Sequence, residues 1–166
     1  MIGFHRAIIV GDEATIRALA RSDTAASRAW ADAFCGYWLA KSRLAKVADE
    51  KIGGMSGLIF ADEQFVIDFV EKHDAALVPP LLIVTFAQDR GKLVLRWMGE
   101  LPKPRWQVDF ESAAKLGAMT PEAITEMLAR FGEIAGRFDQ LTAQVAAGKF
   151  TSPNALMREF NRAQLQ

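Results

Sequence analysis

One cysteine, two histidines and one tyrosine are all that the 166 residues offer of the side chains that most often carry nucleophilic catalysis, metal binding or disulfides. Cys35 has no partner within the chain, so an internal disulfide framework is excluded and a reducing compartment is expected. His5 and His73 with one thiol cannot build a zinc set. The acidic pairs Asp12-Glu13, Asp49-Glu50 and Asp62-Glu63 are dipeptides rather than oxygen-ligand loops, and two of them fit helix starts better. No metal site and no cofactor is expected. Net charge is also missing: 20 basic residues balance 20 acidic ones, so a nucleic-acid or membrane function would need a local patch. No apolar run reaches the 18 residues that span a bilayer; the best, Leu77 to Ala87, contains Pro79-Pro80. The short apolar run before Gly11-Asp12-Glu13 is followed by no small-residue cleavage site, so no signal peptide is expected and the chain reads as soluble and cytoplasmic.

What is present is enough for one core. Hydrophobic residues make up 51% of the chain, and a folded domain of this size buries about two-thirds of its surface without staples. Alanine is abundant and arginine outnumbers lysine, 12 to 8, a bias that suggests a small bacterial or phage protein.

The first third predicts helices. Asp12 suits the cap of a helix with Ile16, Leu19 and Ala20 inward, and Asp23 or Thr24 caps the next. From there Ala26, Trp30, Phe34, Tyr37, Trp38, Leu44, Ala45 and Ala48 recur at three- and four-residue spacing, with Arg28, Asp32, Lys41, Arg43 and Lys46 mostly elsewhere. This amphipathic helix of about 24 residues should stop at Gly53-Gly54, with Met55-Ser56-Gly57 as loop and Leu58-Ile59-Phe60 as a short strand. Acids at Asp62 and Glu63 and bases at Lys72 and His73 favour a helix over the next segment, although Phe65 to Val70 also has strand character.

Leu81 to Gln88 and Lys92 to Glu100 predict an antiparallel hairpin around Asp89-Arg90-Gly91, with Trp106, Val108 and Phe110 alternating as a third strand. A short helix from Glu111 to Leu116 follows, closed by Gly117. Thr120-Pro121-Glu122 and Ser152-Pro153 then open two C-terminal helices, the last carrying Leu156, Met157, Phe160 and Ala163. The expected fold is a single α+β domain over 1–166: residues 1–77 mainly helical, a three-stranded antiparallel β-meander over 81–110 packed against several helices, and a helical portion over 111–166. Residues His5 to Asp23 resemble one ankyrin repeat in the spacing of Ala, Gly and Leu. The Thr-Pro-Leu-His signature is missing, no second copy follows, and one repeat cannot bury its own face, so no repeat array is expected.

Catalytic patterns are thin. Ser56 in Gly53-Gly54-Met55-Ser56-Gly57 lacks the residue that precedes the last glycine of a nucleophile elbow, and a helix rather than a strand leads into it. The same glycines lack the ending of a phosphate loop. Cys35 among Phe34, Tyr37 and Trp38 reads as a buried structural thiol.

Two surfaces stand out instead. Arg90, Lys92, Arg96, Lys103 and Arg105 surround Trp97 and Trp106 with Glu100 the lone acid, a pattern that suits stacking and phosphate contact with single-stranded nucleic acid or an acidic partner. Strand parity opposes it in part, since Leu93, Leu95 and Trp97 share one face. The second surface is the helix over 121–147, where Ile124, Met127, Phe131, Ile134, Phe138, Leu141 and Val145 form one seam. That seam packs either in the core or against a second copy as a homodimer. Gly132 and Gly136 each cost the helix about 1 kcal/mol, which close approach of a neighbour would offset.

The leading expectation is a non-catalytic protein-interaction protein, an adaptor, inhibitor or regulator with an unidentified protein partner. Nucleic-acid binding by residues 90–106 is the alternative, and an enzyme with a dispersed carboxylate site is the third. The zero net charge hides opposed segments: Asp62 to Asp74 carries about −4 and Arg90 to Trp106 about +4.

Overall fold

A computed structural model describes residues 2–72, 83–84, 93–94, 96–98, 107–109 and 121–165. Helix α1, Ile2–Val10, turns at Gly11 into α2, Glu13–Ala18. The turn needs glycine twice over: φ is +73°, and a Cβ would stand 3.2 Å from that of Ser42. Asp12 caps α2 as expected, its carboxylate accepting from the Thr15 N–H at 3.1 Å. Thr24 caps α3, Ala25–Lys51, and Ser27 completes a capping box.

α3 is the spine of the molecule. Its inward stripe packs along α6, Pro121–Ala146, and the two run in the same direction: Trp30 and Phe34 meet Phe131, Tyr37 meets both Phe131 and Phe138, and Arg43 grips Asp139 with two nitrogens. Gly148 at φ +73° ends the α6 region, with its N–H and that of Lys149 returning to the Val145 and Gln144 carbonyls. Ser152 and Pro153 start α7, Pro153–Leu165, which buries Leu156, Phe160 and Ala163 and stacks Phe160 on Phe138.

Two expectations are corrected. Residues 55–60 hold neither loop nor strand but a short helix, α4, Met55–Ile59, followed by α5, Ala61–Lys72. The start signal for α4 lies on the preceding helix: the Asp49 carboxylate accepts from the Met55 and Ser56 N–H groups and from the Ser56 hydroxyl.

The α+β class is also overturned. The two long described stretches are 85% helical, hold no sheet of their own, and a three-stranded β-meander is not seen. Extended residues occur in pieces of two or three: Ile83–Val84 pairs with Leu93–Val94, while Arg96–Met98 pairs with Gln107–Asp109, whose far edge takes Ala20–Arg21 in parallel. The meander was expected as the layer that helices need to cover. Among the described residues, α1, α3, α6 and α7 cover one another, so the described core is made by helix-on-helix packing. The expected helix over Glu111 to Leu116 lies outside the described residues.

Candidate functional site

Inward spacing on α3 runs Phe34, Trp38, Lys41, Ala45, and it carries a lysine into the core. Lys41 is 4% exposed and meets Glu63 of α5, which is 5% exposed, across 2.9 Å from Nζ to Oε1. Rings enclose the ammonium: the centroids of Trp38, Phe60 and Phe160 stand 4.8, 5.0 and 5.9 Å from Nζ. Burial lowers the Lys41 pKa, and the adjacent Glu63 carboxylate works against that shift. Tyr37, buried nearby on α3, is pushed up by burial and then by the charges of Glu63 and Asp62. Among the described residues, the centre holds a charge pair within buried side chains.

Sequence reasoning missed both charges. Lys41 was expected on the outer face and Glu63 as a dipole partner in the first turn of α5. The available signal was spacing: Lys41 falls three residues after Trp38 and three before Leu44, within the apolar stripe.

His5 on α1 borders the same region. Burial holds its pKa down to about 4, with the N-terminal amine and Lys41 adding repulsion. The sign follows from linkage. Below about 6.5 the unfolded chain takes up a proton that the folded chain refuses, so stability falls as pH drops from about 6.5 towards 4, by about 3 kcal/mol in all. Urea midpoints across that range should show this limb, and His5→Phe should flatten it. An unchanged limb in that variant would assign the acid sensitivity elsewhere.

The seam residues of α6 are placed inside the chain. Phe131, Ile134, Phe138, Leu141 and Val145 are buried, and Ile124 and Met127 are half-buried against the same core. Gly132 and Gly136 are exposed, and a Cβ on either would meet nothing within 4 Å among the described residues, so the expected compensation by a close neighbour is not seen there. Cys35 is fully buried, and burial pushes its thiol up to about 11. Of the basic patch, Arg90, Lys92, Lys103, Arg105 and Trp106 lie outside the described residues. Arg96 and Trp97 are described by their backbone pairing with Asp109 and Val108.

Among the described residues, large apolar and acidic side chains are exposed together along α4 and α5. Phe65 on α5 is 68% exposed and Leu58 on α4 is 48% exposed, in company with exposed Ala61, Asp62, Asp68 and Glu71. Arg6 of α1 pairs with Glu71, while Asp62 and Asp68, the latter accepting from the Gln64 amide, are exposed on either side of Phe65. Among the described residues no helix is long and apolar enough to cross a membrane. No protein-family model, curated protein or solved structure matches this chain.

Proposed function

We propose that the protein is a non-catalytic interaction module that docks a protein partner through the α4–α5 face, in a reducing cytoplasmic setting that suits its lone buried thiol. The observation that carries this reading is Phe65, exposed between Asp62 and Asp68 on a helix whose inward charge is already neutralised by Lys41. An aromatic anchor ringed by charge is the usual composition of an interface hot spot. The acidic rim selects the partner's chemistry: an apolar pocket bordered by lysine or arginine, which the rim would also steer towards the face.

Cross-linked capture from the source cell, with protein and nucleic acid both analysed, tests the reading. The wild-type chain should retain a basic-rimmed protein partner. Purified, that partner should bind a Phe65→Ser/Leu58→Ser variant at least about 30-fold more weakly, the effect of losing one hot spot. Thermal unfolding of the variant should stay near that of the wild type, since both side chains are exposed. An Arg96→Glu/Arg105→Glu variant should retain the partner. Loss of capture in that second variant, or a nuclease-sensitive complex, would overturn the reading in favour of nucleic acid or an acidic partner.

A further inference from the structure

We propose that Trp38, Phe60, Phe160 and Glu63 form an internal site for a primary ammonium ion, which the chain fills with the end of its own lysine. The site is assembled from distant parts of the sequence. On α3, Trp38 and Lys41 lie three residues apart and so share a face. The start of α5 repeats that spacing with ring and charge reversed in sign: Phe60 stands just before the helix, its carbonyl accepting from the Gln64 N–H at 2.9 Å, and Glu63 follows in the first turn. α7 adds Phe160. These side chains are all buried. Within them the Lys41 Nζ stands over the rings of Trp38, Phe60 and Phe160 and donates to Glu63 Oε1 at 2.9 Å.

Ring faces gathered around one cation are the composition by which proteins recognise free ammonium groups. Here the rings and the acid make two separate demands. A ring face attracts positive charge through its quadrupole, and a neutral group of the same shape gains much less from it. The carboxylate at 2.9 Å asks for an N–H donor. A quaternary ammonium meets the first demand and fails the second, an alcohol does the reverse, and a primary ammonium meets both. The lysine stem supplies the tether, which makes the cation intramolecular and holds the site filled against free ions in solution. Shortening Lys41 to alanine removes Cγ, Cδ, Cε and Nζ, which are the heavy atoms of n-propylammonium, and leaves the rings and the acid. Glu63 is then a buried charge without its partner, and the free ion restores the pair.

Urea unfolding of the full-length Lys41→Ala variant near neutral pH, with n-propylammonium as the probe, tests this. The unfolded chain meets the ion before the core closes, so no entry channel is needed. With a dissociation constant of about 1 mM, ordinary for so small a ligand, about 30 mM probe should raise the folded-to-unfolded ratio about 30-fold. Propan-1-ol and tetramethylammonium at the same concentration should raise it less than about threefold. The wild type, whose lysine occupies the site, and Lys41→Met, whose side chain fills the space, should each change less than about twofold. Adding Glu63→Gln to Lys41→Ala should cut the response to the probe at least about tenfold. If Lys41→Ala is unfolded in buffer, sucrose added equally to every sample brings it into the measurable range, and the same ratios are expected. Lack of stabilisation by n-propylammonium, an equal response to propan-1-ol, or an equal response in the wild type would overturn the proposal.

Discussion

Phe138→Ala is expected to lose about 3–5 kcal/mol of folding stability, a large share of what holds an ordinary domain together. The ring is fully buried, stacked on Phe160 at 5.2 Å between centroids and tilted against Tyr37 at 5.6 Å, so truncation opens a cavity where α3, α6 and α7 meet. The same experiment distinguishes the two uses of the α6 seam. With Phe131, Phe138 and Val145 buried by the chain's own helices, the urea midpoints of wild type and variant should not move over about a 100-fold range of protein concentration. A midpoint that climbs with concentration would mean that a second copy shares the stabilisation, and the packing against α3 would then be an incomplete account of the seam.

Much of the helical body was legible in the sequence because its signals are local. Asp12, Thr24 and Ser152-Pro153 mark helix starts through partners three residues away, and the stripe from Ile124 to Val145 repeats often enough to fix a face. What stayed hidden depends on partners distant in sequence. Asp49 starts α4 from six residues back, which made Met55 to Phe60 look like loop and strand. The α+β class was read from alternation over residues 81–110, of which the described pieces are two or three residues long, whereas the described core is made by the long helices. The charged centre was hidden by residue type. A stripe of inward positions was read with charge assigned outward by default, yet Lys41 sits in that stripe and finds its acid 22 residues later.

Glu63→Ala provides the second large effect and the one with a pH signature. The uncompensated buried ammonium of Lys41 should cost about 3–5 kcal/mol at neutral pH. Burial already holds the Lys41 pKa below its ordinary value, and removing the carboxylate takes away what raises it. Between that lowered folded value and about 10.4 the unfolded chain binds a proton that the folded chain does not, so stability must climb with pH. Below the folded value both states bind it and the deficit is complete. Urea midpoints of Glu63→Ala at pH 7, 8.5 and 10 should therefore converge on the wild-type value as pH rises, and Lys41→Met, which has no amine to titrate, should show no such recovery. A pH-independent deficit in Glu63→Ala would mean that Lys41 is hydrated in the folded protein, against its enclosure by Trp38, Phe60 and Phe160.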